Sequence, residues 1–158
     1  MEVAKCLAVV RLRGTVNVRK DVDDTLSMLH LNRPHHATLV PSTAPYLGML
    51  QLVKDHVTWG EISKDVLSML LAEKCELSGG RKLRVEDLKR YGFKSVDELA
   101  HALHELKIKL TDLRDVKPVF RLRPPSGGFK RSLKRGVGEC GELGYRGEKI
   151  NDLIRRML

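Results

Sequence analysis

The first 61 residues alternate between strand-like and helix-like apolar spacing, and no other feature restricts the fold as strongly. Cys6 to Leu12 reads Cys-Leu-Ala-Val-Val-Arg-Leu, a strand signature rich in branched residues. The pattern breaks at Gly14. From Val18 the spacing turns helical through Val22, Leu26 and Leu29, with Asn17 as the expected N-cap and Pro34 as the stop. His36 to Val40 is a second strand. Ser42 or Thr43 caps a second helix that accepts Pro45 in its first turn and turns Tyr46, Leu47, Leu50 and Val53 inward. Val57-Thr58-Trp59 is a third strand, ended by Gly60.

A strand–helix–strand–helix–strand unit can close as a wound parallel sheet or as a split, ferredoxin-like sheet. Either arrangement leaves one sheet face open for binding, and the pattern alone does not choose between them. Residues 62–116 form a helical extension. Ile62, Val66, Leu67, Leu70 and Leu71 share one helical face, and Gly79-Gly80 makes a turn. A short helix from Val85 stops at Gly92, and Ser95-Val96-Asp97-Glu98 is a capping box ahead of Leu99, Leu103 and Leu106. Residues 117–158 supply an edge strand at Pro118–Leu122, a basic glycine-rich loop, and a helix from Glu148 to Met157 packed on the core.

Charge is distributed unevenly. Lys117 to Lys149 holds nine basic residues against three acidic ones, a net +6 of the chain's +9. The preceding residues are nearly balanced, with 18 basic and 16 acidic groups. A balanced body carrying a concentrated basic segment suits a polyanion, because Lys and Arg release counterions condensed on phosphates. From Ser126 to Gly147 the segment has seven glycines and few large apolar residues, so it is expected to be mobile until bound.

The motifs exclude more than they suggest. Gly127-Gly128-Phe129-Lys130-Arg131-Ser132 lacks the spacing of a phosphate loop, and the later glycines lack the strand-to-helix context of a dinucleotide site. No serine sits in a nucleophile elbow, and the acidic pairs fall in first helical turns. No catalytic residue, metal site or cofactor is expected. Cys6, Cys75 and Cys140 are scattered and odd in number, which fits a reducing cytosol. Met1 to Lys5 does not form a secretion signal, and no apolar run approaches the roughly 18 residues that span a membrane.

Basic side chains form constellations. Arg11 and Arg13 lie two apart on a strand and so leave the same face. Arg19 and Lys20 open the first helix, where unpaired N–H groups attract anions. Arg33, His35 and His36 lie at the far edge of the sheet. Lys130, Arg131, Lys134 and Arg135 sit among glycines, followed by Arg146 and Lys149, while Phe129 and Tyr145 offer flat surfaces for ribose or base stacking.

Several segments are familiar in this order. They are Arg11-Leu12-Arg13-Gly14, Asp24-Thr25-Leu26 with Leu29-His30-Leu31, Tyr46-Leu47-Gly48-Met49-Leu50 and Val57-Thr58-Trp59-Gly60-Glu61-Ile62. Further on come Pro124-Pro125-Ser126-Gly127-Gly128 and the run from Gly141 to Asn151. Together they resemble the L-thirty family of large-subunit ribosomal proteins, in its long archaeal form related to eukaryotic L-seven. The resemblance implies an α+β fold, with a ferredoxin-like β-α-β-α-β core over residues 1–61, a small antiparallel sheet, and two helices on one face. It implies a cytoplasmic, non-enzymatic protein of the large ribosomal subunit that binds rRNA near 5S rRNA, beside other ribosomal proteins and away from membranes. The expected RNA-binding residues are Arg11, Arg13, Arg19, Lys20, Arg33, His35, Lys130, Arg131, Lys134, Arg135, Tyr145, Arg146 and Lys149. One departure stands out: where the family commonly carries adjacent basic residues before the second strand, Asn32-Arg33-Pro34 offers only Arg33. The alternative is a ligand-binding regulatory domain on the same core, since that fold serves many functions.

Overall fold

The computed structural model describes residues 4–14 and 16–158. Met1-Glu2-Val3, part of the start read as non-secretory, lies outside the described residues. The chain runs β1 (Cys6–Arg11), α1 (Lys20–Met28), β2 (His36–Pro41), α2 (Ala44–Leu52), β3 (Val57–Glu61), α3 (Lys64–Lys74), α4 (Val85–Arg90), α5 (Val96–His104), β4 (Phe120–Arg121), β5 (Ser132–Gly136), β6 (Gly141–Tyr145) and α6 (Ile150–Met157).

All six strands share one sheet in the order β4-β2-β1-β3-β6-β5. β1 is antiparallel to both β2 and β3, so β2 and β3 run parallel with β1 in the gap between them. This is the split, ferredoxin-like solution. β4 pairs antiparallel with the outer edge of β2, at His36↔Arg121 and Ala37↔Phe120. On the other side β6 runs parallel to β3, and β5 parallel to β6. The sheet is therefore larger and more mixed than the small antiparallel one implied by the resemblance.

Neither face of the sheet is open. Leu7 and Val9 of β1 point toward α1 and α2, packing with Val22, Leu26, Leu29, Leu50 and Val53. Cys6, Ala8 and Val10 point the other way, into a larger cluster with Val66, Leu70, Leu99, Leu103, Ile150 and Ile154. Every residue of β1 is buried as a result. The expectation of an exposed binding face fails for a simple reason. The stripes of α3, α5 and α6 must leave water, at about 1.5–3 kcal/mol for each large side chain buried, and the second sheet face is the apolar surface they cover.

Local signals explain the starts of α3 and α5. The Ser63 Oγ accepts a hydrogen bond from the Val66 N–H at 3.3 Å, and the Ser95 Oγ accepts from the Glu98 N–H at 3.3 Å. Two expected caps differ. α1 starts at Lys20 behind a left-handed Asn17 with φ 57°, so that residue turns the chain before the helix rather than capping it. Thr43 precedes α2 without a side-chain cap, and the Ser42 Oγ instead accepts from the Lys5 N–H at 2.7 Å, tying β1 to β2.

The glycine-rich segment contains more structure than its composition suggests. It forms β5 and β6, with Gly141, Glu142 and Leu143 buried. Glycine makes the close packing feasible. A side chain at Gly141 would run into the Arg135 backbone, and one at Gly60 of β3 would run into the Gly147 carbonyl. The ordering cost is offset by a sheet that already exists beside the segment, which a count of apolar residues does not reveal.

Two outcomes follow from this packing. Gly60→Ala should destabilise the chain by about 1–3 kcal/mol through overpacking against Gly147, read as a lower urea midpoint. Burial pushes the Cys6 and Cys75 thiols up to about 12, while Cys140 is exposed. Iodoacetamide should therefore modify Cys140 in the folded chain and reach the other two only after denaturation.

Candidate nucleic-acid interface

Strand directions decide which basic residues meet. The C-terminal end of β1 and the N-terminal ends of β2, β3, β6 and β5 lie at the same end of the sheet. Arg13 leaves β1 there, Arg33 and His35 precede β2, and Lys130 and Arg131 precede β5. Arg13, Arg33, Lys130 and Arg131 are all exposed. Phe129 stacks on His35 with ring centroids 6.1 Å apart and planes within 16°, which pins the basic segment to the loop before β2. Phe129 thus holds the segment on the body instead of lying free for a base.

The other residues expected to bind RNA fall elsewhere. Lys134 and Arg135 are exposed along β5, the outermost strand, and carry positive charge away from the sheet end. Arg19 and Lys20 are exposed at the start of α1, although Arg19 is engaged with Asp21 at 2.7 Å. Tyr145, the last residue of β6, pairs with Trp59 in the middle of β3, and Lys149 follows it in the chain, so neither joins the cations before β2 and β5. The Tyr145 hydroxyl donates to Glu61 Oε1 at 2.5 Å, and that bond raises its pKa, yet 54% of the residue remains exposed.

Two of the expected residues point inward. Arg11 is fully buried. Its Nε donates to the Arg13 carbonyl at 2.9 Å, and its two terminal nitrogens donate to the Leu31 carbonyl at 2.7 Å and the Gly14 carbonyl at 3.2 Å. Burial lowers its pKa, with Asp23 on α1 opposing the shift. Alternation does put Arg11 and Arg13 on one side, but α1 covers the first of them. Arg146 is also enclosed, its side chain 9% exposed against 8% for its partner Glu142. It donates to Glu142 Oε2 at 2.9 Å and, through Nε, to Thr58 Oγ1 at 2.7 Å. Glu142 Oε1 in turn accepts from the Arg131 backbone N–H at 3.1 Å. Arg11 and Arg146 therefore brace the surface that the exposed residues form.

Arginines crowd the histidines at the sheet end. His56, just before β3, has its pKa lowered by burial and then by Arg13 and Arg11, with only Asp55 opposing. His36 is lowered by burial and then by Arg121, Arg33, Arg11 and His35. The Nδ1 atoms of His35, His36 and His56 are buried without a hydrogen-bond partner. His56 and Arg121 were not among the residues expected from sequence, because isolated charges gain meaning only once the strands assemble. Among the described residues no group of His, Cys, Asp or Glu could hold a metal ion, and no helix is long and apolar enough to cross a membrane.

A mixed sheet with a basic end and a basic edge strand makes this an α+β protein whose exposed surface suits a polyanion. The family model for ribosomal protein L30p/L7e matches residues 7–57. The chain is 50% identical over 159 residues to large ribosomal subunit protein uL30 of Korarchaeum cryptofilum, covering 100% of this chain and 98% of that protein. It is 48% identical to the protein of the same name from Nanoarchaeum equitans, over 96% of this chain and 97% of that one. Against the Methanobrevibacter smithii protein it is 48% identical, over 95% and 98% respectively. The chain belongs to the ribosomal protein L30p/L7e family, a family of structural ribosomal proteins rather than enzymes.

Removing either bracing arginine should cost stability. Arg146→Leu leaves the Glu142 carboxylate buried without its cation, and unfolding free energy should fall by about 3–5 kcal/mol. Lys130→Gln, at an exposed position, should stay within about 0.5 kcal/mol of the parent. Parallel urea titrations compare the two.

Proposed function

We propose that this chain is a structural constituent of the large ribosomal subunit that binds and stabilises rRNA, close to 5S rRNA. The observation that carries this reading is the set of exposed cations, Arg13, Arg33, Lys130 and Arg131, at one end of the sheet. Lys134 and Arg135 extend it along the edge strand. An extended strand sets its side chains out along a line, and a nucleic-acid strand presents its phosphates in a row. Cations on an extended edge can thus follow a backbone. The names of the relatives support a cytoplasmic ribosomal setting with rRNA and other ribosomal proteins as neighbours. They favour it over the regulatory-domain alternative. Proximity to 5S rRNA rests on the resemblance of the segments from Arg11 to Asn151.

The protein's part in such an assembly is positional. A basic strand locked onto a sheet does not have to be ordered on binding, so less interaction energy is lost to entropy. Contacts to phosphate fix orientation without reading sequence, and shape complementarity to folded RNA supplies the remaining selectivity.

Filter binding to purified large-subunit rRNA at stepped salt tests the reading. The logarithm of the affinity should fall linearly with log salt, with a slope near −0.7 to −0.9 per phosphate contact. Replacing Lys130, Arg131, Lys134 and Arg135 together by Ser should reduce that slope and weaken binding by about 1 kcal/mol per contact, with the melting temperature nearly unchanged. Binding that ignores both salt and these substitutions would refute the proposal. Crosslinking within reassembled subunits addresses 5S rRNA separately, with transfer of label to 5S rRNA expected.

A further inference from the structure

Between the loop preceding β2 and the two-residue strand β4, the surface folds into a cleft of about 450 Å³ lined by His30, Asn32, Arg33, His36, Lys117 and Arg121. Its walls come from distant parts of the chain. Arg121 stands directly opposite His36 across the β2–β4 ladder, a position that brings side chains on one face within reach of each other.

The charges of the cleft are unbalanced. Among the described residues, neither Arg33 nor Arg121 has a carboxylate partner, and Lys117 reaches Glu76 only at 3.7 Å. The His36 imidazole is crowded by cations from three elements, Arg121 from β4, Arg33 from its own loop and Arg11 from β1, with the His35 ring beside it. Asp23 of α1 partly offsets Arg11, but among the described residues no carboxylate acts on His36 itself. Its Nδ1 is buried and lacks a hydrogen-bond partner. Two free guanidiniums and an unpartnered imidazole around one cavity form the protein's half of an anion site.

We infer that this cleft holds one phosphate group of the RNA backbone between Arg33 and Arg121, with His36 taking a proton from solvent as the anion enters. The source of the phosphate rests on the rRNA-binding reading; the anion site rests on the cleft itself. Empty, the cleft keeps His36 below the usual histidine range through burial and neighbouring cations, so it is neutral near pH 7. A bound anion reverses the local field and raises that value. The bound state then carries more protons than the free state, and affinity rises as pH falls through the interval between the two values. The single basic residue before β2 is thereby supplemented by Arg121, contributed from a strand 88 residues later in the chain.

Inorganic sulfate, whose charge is constant over this range, is the probe. In an NMR titration of the full chain, the His36 midpoint should rise with sodium sulfate relative to sodium chloride at equal ionic strength. His101, on α5, should not follow. Arg121→Gln and, independently, Arg33→Gln should lose most of that rise while the amide spectrum of the core stays unchanged. Each should also weaken rRNA binding about threefold or more and flatten its pH dependence. A His36 midpoint indifferent to sulfate, or a full response in both variants, would overturn the inference even if rRNA binds normally. A sulfate response as described, with no rRNA binding at all, would leave the anion cleft standing and remove the rRNA reading instead.

Discussion

The structure depends on β1 occupying the gap between β2 and β3. A strand in that position has no free edge and no free face, so it must be apolar throughout. Cys6, Leu7, Ala8, Val9 and Val10 meet this requirement, each at most 4% exposed. One set of side chains anchors α1 and α2, and the alternate set anchors α3, α5 and α6. Both cores thus share this strand. Arg11 ends it, and its guanidinium donates to three carbonyls of the turns around it, of which that of the buried Leu31 would otherwise lack a donor.

A second constraint joins the basic segment to that core. The Glu142–Arg146 pair is enclosed on both sides, and burial of two charges is costly unless their remaining hydrogen-bonding capacity is used. Here it is used: Thr58 and the Arg131 backbone complete the network. Thr58 also donates to the Gly144 carbonyl at 2.8 Å, fixing β6 against β3. Two residues that appear in sequence as one favourable and one unfavourable charge for RNA binding are in fact a clamp. Their work is to present Lys130, Arg131, Lys134 and Arg135 on a held strand instead of a free tail.

Positive charge is consequently organised at two scales. Along β5 it follows an extended edge, suited to a run of phosphates. At the end of the sheet it converges from β1, β2, β4 and β5, beside three histidine Nδ1 atoms that have no partner among the described residues. Unbalanced charge of this kind destabilises the isolated protein slightly and favours the state in which an anion is present. A protein whose working state is inside a ribonucleoprotein can carry that imbalance.

Sequence by itself determined what depends on neighbours along the chain. The three strands and two helices of residues 6–61 follow from local apolar spacing, as do the caps at Ser63 and Ser95 and the inward face of Ile150, Leu153, Ile154 and Met157. The exposed cations Lys130, Arg131, Lys134 and Arg135 were legible from charge alone. Only the tertiary structure decided the rest. β5 and β6 have little apolar signal of their own and exist because β3 offers a partner. Arg11 and Arg146 share their chemistry with Arg13 and Arg131, and only packing separates buried braces from exposed contacts. The pairing of His36 with Arg121 is likewise made by β4 returning to the sheet edge. Local spacing specifies elements because it acts within a turn or a pleat; the surface that meets an anion is assembled from residues far apart in the chain, where only the fold sets distance and burial.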